Sequence, residues 1–227
     1  FIGECAGKEA TSGSDNLAFG RCAMGSGIVT GDYNIAFGFS SLCKTTSALD
    51  SVAIGRGAMS ATAATGNLNI AIGCKAGNRI TSGKQNILLG RYAGGAFNTG
   101  AGEVGTGDYN VFLGDTTALK ATSASCNVIL GKRSGYCLTT GNQNTAIGTY
   151  AGKLLLSGNK NTFLGHQAGC NVTSGCCNVA IGNGVLLPSA TDNNQLAIGR
   201  GVEGGSPAFN WISATGLSSG SVTIAGI

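Results

Sequence analysis

Charged residues, proline and histidine are scarce in this 227-residue chain, and each shortage excludes a class of protein. Lys, Arg, Asp and Glu make up 11% of the residues, and there are two prolines and one histidine. A disordered chain would carry more charge and fewer aliphatic residues, and a collagen would need far more proline. No apolar run approaches the roughly 20 residues that a membrane helix requires. With one histidine and no dense carboxylate cluster, we expect no enzymatic activity, no cofactor and no metal site.

Glycine, by contrast, is abundant at 40 residues, and it marks an internal repeat. Eleven segments follow the form Asn-aliphatic-X-aliphatic-Gly closely. Ser51 and Gln195 replace the asparagine in two of them, and Thr145, Thr162, Phe19 and Phe37 replace an aliphatic residue in four others. The asparagines of this column are Asn16, Asn34, Asn69, Asn86, Asn110, Asn127, Asn144, Asn161 and Asn178. The closing glycines are Gly20, Gly38, Gly55, Gly73, Gly90, Gly114, Gly131, Gly148, Gly165, Gly182 and Gly199. Successive positions in this second column differ by 17 or 18, with one difference of 24.

The boundaries of the repeat region follow from this period. Phe1-Ile2-Gly3 precedes Gly20 by one full period, so the sequence opens within a truncated twelfth copy. We therefore expect residue 1 not to be the start of the gene product. Residues 1–199 are predicted to form about 12 coils, with an insertion near 95–101 that is more consistent with a tolerated surface bulge than with a functional loop.

Each copy is too short for a pair of helices, and its apolar segment has the features of a strand. These segments are four to five residues long, rich in β-branched residues and bounded by glycine. One such strand cannot bury its face alone, whereas stacked copies pair about 4.8 Å apart. The repeat therefore predicts an all-β, parallel β-solenoid or β-roll of about 17 residues per coil, which forms a rod of roughly 50 Å.

Two columns of the repeat are predicted to shape the coil. The closing glycines are expected at corners with positive φ, where a Cβ would clash. The asparagines either stack as a ladder of side-chain amides, as in cross-β structures, or simply begin a turn. Both alternatives are structural.

The strand itself is apolar on both faces. The second and fourth residues of the segment are aliphatic, and the third is apolar as well, as in Val179, Ala180 and Ile181. Since neighbouring strand residues point to opposite faces, one face can fill the coil and the other must meet something else. The expected partner is the same chain, packed along the rod as a symmetric homo-oligomer.

These motifs resemble those of two families. The segment Ser51-Val52-Ala53-Ile54-Gly55-Arg56-Gly57-Ala58 is similar to the head repeat of trimeric autotransporter adhesins. The wider pattern, Asn-X-X-X-Gly-X-X-Ala-Gly with Thr-X-Gly turns, resembles repeats in tail-fibre proteins of tailed bacteriophages. The resemblance covers residues 1–199 and implies a left-handed β-roll trimer with an extracellular attachment role. The adhesin-head repeat is shorter, so the extra residues here should widen a turn or lengthen the coil.

After Gly199 the period ends. Residues 200–227 contain two alternating stretches, 208–212 and 221–225, separated by a glycine-flanked segment, 216–220. This order predicts a β-hairpin that either caps the last coil or joins it to a further domain or subunit. Since neither end of the chain carries the polar cap that a solenoid normally needs, a head-to-tail filament is an alternative form of assembly.

Nine cysteines and one glycosylation sequon are the remaining candidate sites. Cys5 and Cys22 are separated by one full period, so they occupy the same place in adjacent coils and are a candidate disulfide. The sequence contains no Cys-X2-Cys pair, so the cysteines give no indication of a zinc site. Asn171-Val172-Thr173 predicts glycosylation at Asn171 if the source is a secretory eukaryote. The basic residues are interpreted as a solvated surface, so no nucleic acid partner and no membrane insertion are expected.

The sequence thus favours a non-enzymatic fibre protein that forms a rigid rod for attachment, with a cell-surface receptor or glycan as a further partner. A self-assembling extracellular filament without a receptor explains the same features. An ice-binding solenoid is a weaker alternative, based on threonines that recur before the turn glycines. An acyltransferase β-helix is weaker still, because only one strongly aliphatic segment occurs per coil.

Overall fold

The computed structural model describes residues 1–27, 29–60, 64–95, 105–201, 209–214 and 223–224. The chain forms a parallel β-solenoid of about ten turns, with about 17 residues per turn and no helix among these residues. The fold class predicted from the repeat is therefore confirmed. No segment in the described ranges is a helix long and apolar enough to cross a membrane.

One strand from each coil joins a single sheet, in the order of the sequence. The strands are β1 (Leu17–Phe19), β2 (Ile35–Phe37), β3 (Val52–Ile54), β4 (Ile70–Ile72), β5 (Ile87–Leu89), β6 (Val111–Leu113), β7 (Val128–Leu130), β8 (Thr145–Ile147), β9 (Thr162–Leu164), β10 (Val179–Ile181), β11 (Leu196–Arg200), β12 (Phe209–Ala214) and β13 (Thr223–Ile224). From β1 to β11 the pairing is parallel and in register, so each position of the repeat stacks on its equivalent.

The third residue of each apolar segment points into the coil. Ala18 is fully buried, whereas Leu17 and Phe19 on either side are 50% and 41% exposed. The same alternation holds along the stack, and larger residues such as Phe163 and Ile129 occupy the buried position in later coils. The core is therefore a narrow column one side chain wide at each strand, and the second and fourth residues form an outer face.

The closing glycines make the corners. From Gly20 to Gly182 their φ angles lie between +122° and +138°, a region that is available to glycine alone. A Cβ built on Gly131 would lie 2.6 Å from the backbone of Gly148 in the next coil. These corners therefore require glycine for both conformation and space.

Gly199 is the exception, and the predicted corner there is wrong. It lies within β11, its φ is outside the positive region, and the pairing of β11 with β12 shifts register between Ile198 and Gly199. The strand continues through Gly199 and pairs antiparallel with β12, which takes the place of a further coil.

Residues beyond the last coil cover the end of the stack. β12 pairs antiparallel with β11, and β13 pairs antiparallel with β12. Both strands fall within the stretch that was predicted to form a hairpin. The link predicted at 216–220 lies outside the described residues, as does most of the predicted insertion at 95–101. β5 and β6, which flank that insertion, pair in register.

Candidate functional site

Asparagine side chains tie successive coils together along one line of the rod. In a typical step, Asn127 Oδ1 accepts hydrogen bonds from the backbone N–H of Asn144 at 2.8 Å and from its Nδ2 at 3.1 Å. Asn144 Nδ2 also donates to the carbonyl of Gly158, in the turn that follows. The column therefore forms a ladder and anchors a turn at the same time, and almost all of it is buried.

A second ladder, not anticipated from the sequence, lies two positions before the first. Asn142 Oδ1 accepts from the backbone N–H of Ser125 at 2.8 Å, and Asn159 Oδ1 accepts from that of Asn142 at 2.7 Å. In this second ladder, the backbone N–H of one coil donates to a side chain of the following coil. In the first ladder, it donates to a side chain of the preceding coil. The signal was present in the sequence, because Asp, Asn or Ser recurs two positions before the asparagine column: Ser14, Asp32, Asn67, Asp108, Ser125, Asn142, Asn159 and Asn193.

The outer face of the sheet is apolar over its whole length. Two columns of side chains, one on each side of the buried position, extend from β1 to β11. Thr145 and Thr162 are the only hydroxyl-bearing residues among them. Many members are well exposed, including Leu17, Ile35, Phe37, Ile70, Ile72, Ile87, Leu113, Val128 and Leu164. We call this surface the apolar face.

The two borders of the apolar face carry opposite charge. The three positions before the asparagine column hold five aspartates (Asp15, Asp32, Asp50, Asp108 and Asp192) and two lysines (Lys84 and Lys160). The six positions after each corner glycine hold 11 basic residues, Lys8, Arg21, Lys44, Arg56, Lys75, Arg79, Arg91, Lys120, Lys132, Arg133 and Lys153, and three carboxylates, Glu4, Glu9 and Asp115. We call these the acidic border and the basic border. The basic residues look evenly spread along the sequence, whereas the fold collects them on one side.

Aromatic rings and a carboxylate hold several of these cations in place. Arg21 lies 4.7 Å from the ring centre of Phe39. Arg91 forms a bidentate ion pair with Asp115, with Nε 2.7 Å from Oδ1, and this hydrogen bond raises the pKa of the guanidinium. Arg56 donates to Cys74 Sγ at 3.4 Å, which raises the pKa of Arg56 as well. Several cations of the basic border thus contact a ring, a carboxylate or a thiol of their own or a neighbouring coil.

The cysteines and the sequon asparagine, which were the remaining predicted sites, lie in the described part of the chain. All nine cysteines lie in the described ranges as free thiols, Cys5 and Cys22 among them, and a bond between these two stays a prediction. Burial raises the pKa of the Cys170 thiol. Asn171 Nδ2, the atom that a glycan would modify, donates to the carbonyl of Leu187 at 2.7 Å, and glycosylation there stays a prediction.

Among the described residues, no catalytic arrangement of side chains surrounds the single histidine. His166 Nδ1 lies 3.0 Å from Asn183 Oδ1, and its ring meets the edge of Tyr150. Within the described part of the chain, no group of three His, Cys, Asp or Glu residues could hold a metal ion. A half-open recess of about 20 Å³ next to Leu88 and Phe112 is large enough for a water molecule only.

The recurring threonines are used within the rod. Thr122 Oγ1 donates to the carbonyl of Thr139 at 3.0 Å, and Thr139 Oγ1 donates to that of Leu156 at 3.0 Å. Thr173 makes the same contact with Ala190. Since these hydroxyl protons are committed to the next coil, the column is less suited to ordering water, and the ice-binding alternative loses support.

Comparisons with protein-family models, with curated proteins and with solved structures find no match to this chain. The β-solenoid is compatible with a structural repeat protein. The apolar face and its two charged borders are therefore the structural features that bear on the function of this chain.

Proposed function

We propose that this chain is a non-enzymatic structural subunit that trimerises through its apolar face into a rigid extracellular rod used for attachment. The observation that carries this proposal is the length of the apolar face, which is interrupted only by Thr145 and Thr162 in one of its two columns. Eleven stacked strands give a strip roughly 50 Å long and 10 Å wide. A footprint on the order of 500 Å² is at the upper end of what soluble monomers expose.

The charged borders support a second copy of this chain as the occupant of that face. When copies lie parallel around an axis along the rod, the acidic border of one faces the basic border of the next. In the first coils, Asp15 and Asp50 of one copy then lie at the same height along the rod as Arg21 and Arg56 of the next copy. Antiparallel rods would instead bring like charges together. Around a three-fold axis this contact is heterologous and closes into a ring, which is the trimer that the adhesin resemblance implies.

The backbone accounts for the rigidity that attachment requires. Each coil is bonded to its neighbours through the sheet, through both side-chain ladders and through turn contacts such as Gly135 N–H to the carbonyl of Ala151 at 2.9 Å. A rod of this kind projects whatever it carries away from a surface. Stacking head to tail into a filament is less favoured, since β12 already occupies the edge of β11.

Light scattering coupled to size exclusion, with and without reductant, tests the assembly. The expected mass is near three times 22.4 kDa in both conditions. Leu164→Asp on the apolar face should dissociate the trimer, whereas Leu156→Asp on a turn should not, although both leucines are 43% exposed. A stable wild-type monomer would refute the proposal, and long filaments would favour the head-to-tail alternative. Circular dichroism shows whether each variant remains folded.

A further inference from the structure

The basic border is most concentrated in the middle of the rod. Between β4 and β9 it holds seven cations, Lys75, Arg79, Arg91, Lys120, Lys132, Arg133 and Lys153. Among the described residues of these coils, Asp115 is the one carboxylate on this side, and it is bonded to Arg91. With coils about 4.8 Å apart, this is a row of roughly one cation per coil along the rod axis.

Three tyrosines order this row. Lys75 lies 5.5 Å and Arg91 5.9 Å from the ring centre of Tyr92. Lys120 and Arg133 lie 5.8 and 5.9 Å from the ring centre of Tyr136. Cation–π contacts of this kind restrain side chains that otherwise move freely. Lys153 lies 5.3 Å from Tyr150 in the same manner. A row of restrained cations loses less entropy when it binds an extended anion.

Trimer formation does not neutralise these cations. In the first coils the acidic border offers Asp15, Asp32 and Asp50 to a neighbouring copy. In the middle coils the same column holds Gln85, Tyr109, Cys126, Gln143 and Lys160, with Asp108 as the single carboxylate nearby. The middle of the basic border therefore keeps its positive charge in the assembled rod.

We propose that the middle of the basic border binds an acidic polysaccharide, a chain of uronic acid sugars laid along the rod. This inference rests on the proposed attachment function and names its ligand. A polyuronate carries one carboxylate per sugar, which suits a row of about one cation per coil. Double-stranded DNA has a far higher linear charge density, since it carries one negative charge about every 1.7 Å of its axis. Single-stranded nucleic acid needs open aromatic faces on which its bases stack, and cations lie over these tyrosine rings.

The test is titration calorimetry of the full chain with polygalacturonate, with neutral dextran and with an oligo-dT strand. We expect binding of polygalacturonate that weakens with added salt, and no binding of dextran. K132E combined with R133E should weaken binding about tenfold, since two attractions become repulsions. K8E combined with R200E, a matched double reversal at the two ends of the rod, should leave the affinity unchanged.

The mass of each sample, measured by light scattering, separates this inference from the proposed trimer. A trimer that does not bind polygalacturonate overturns the inference alone, and so does equal weakening by both double variants. Oligo-dT that binds as tightly as polygalacturonate also overturns it. A wild-type monomer that binds polygalacturonate at the basic border supports the inference while the trimer fails.

Discussion

The coils of β1 to β3 and several later coils, such as that of β9, fill the same cross-section in opposite ways. In the first three, the buried strand residue is small (Ala18, Ala36, Ala53) and the residue four after the corner glycine is large (Met24, Leu42, Met59). In later coils a large strand residue such as Phe163 faces glycines at that second position, including Gly152 and Gly169. The bulky core side chain thus comes either from the strand or from the position four after the corner glycine, while the path of the backbone stays the same.

The exchange has an energetic cost in the first coils. Met24, Leu42 and Met59 have φ angles of +46° to +50°, a left-handed conformation that costs roughly 1–2 kcal/mol per non-glycine residue. Later coils such as that of Gly152 place glycine there without strain. The asparagine ladder also differs between the two regions, since it is unbroken from Asn69 to Asn178 but is interrupted by Ser51 among the first coils.

The largest expected effect comes from emptying the core of a later coil. Phe163→Ala should lower the free energy of unfolding by about 3–5 kcal/mol, because the flanking glycines cannot fill the space. Urea unfolding followed by circular dichroism measures it. Adding Gly169→Met, four residues after the corner glycine of the same coil, recreates the pattern of the first coils and should restore part of the loss. A double variant no more stable than Phe163→Ala would show that the two sites do not exchange volume.

The large core residue of a first coil, which follows the corner glycine by four positions, should respond more weakly to truncation. Leu42→Gly opens a cavity next to Ala36, but it also removes the left-handed strain of a branched side chain. We expect a loss of about 2 kcal/mol, at the low end for a buried leucine. Thermal unfolding of this variant and of Leu154→Gly, an exposed control, checks the value. A stabilised Leu42→Gly would mean that strain outweighs packing at this site.

Completing the ladder should make the first coils more like the later ones. Ser51 Oγ accepts from Asn69 N–H at 3.3 Å, where the asparagines accept at 2.8–3.0 Å, and it offers no amide to the turn. Ser51→Asn should therefore add about 0.5–1.5 kcal/mol of stability, measured by urea unfolding. Asn144→Ser is the reciprocal control and should destabilise the rod. Loss of stability in Ser51→Asn would indicate that the site has no room for an amide.

The smallest effect concerns thiol reactivity. Because burial raises the pKa of Cys170 and the thiolate is the reactive form, this residue should be alkylated several-fold more slowly than exposed Cys177 at pH 8. Peptide mapping after timed iodoacetamide treatment measures both rates. Equal rates would show that this coil opens readily. Protection of Cys5 and Cys22 together, relieved by reductant, would establish the bond predicted between them.

Local sequence was sufficient for the fold and for the corners. A segment such as Asn144-Thr145-Ala146-Ile147-Gly148 specifies a strand, a ladder residue and a turn at once, and eleven copies leave little freedom in how they stack. The prediction failed at Gly199, because its conformation depends on β12, a strand that belongs to no repeat. The second ladder was missed because Asp, Asn and Ser in a turn have many local uses.

The sequence by itself determined the period, the parallel stacking and the existence of two apolar strand faces, since these follow from the spacing of residues along one chain. Only the tertiary structure decided which face is buried. It also decided that Met24 and Phe163 fill equivalent space from different positions, and that charges far apart in sequence form two opposite borders. These properties depend on how residues of successive coils align in three dimensions, and coils of 17, 18 and 24 residues keep the strands in register.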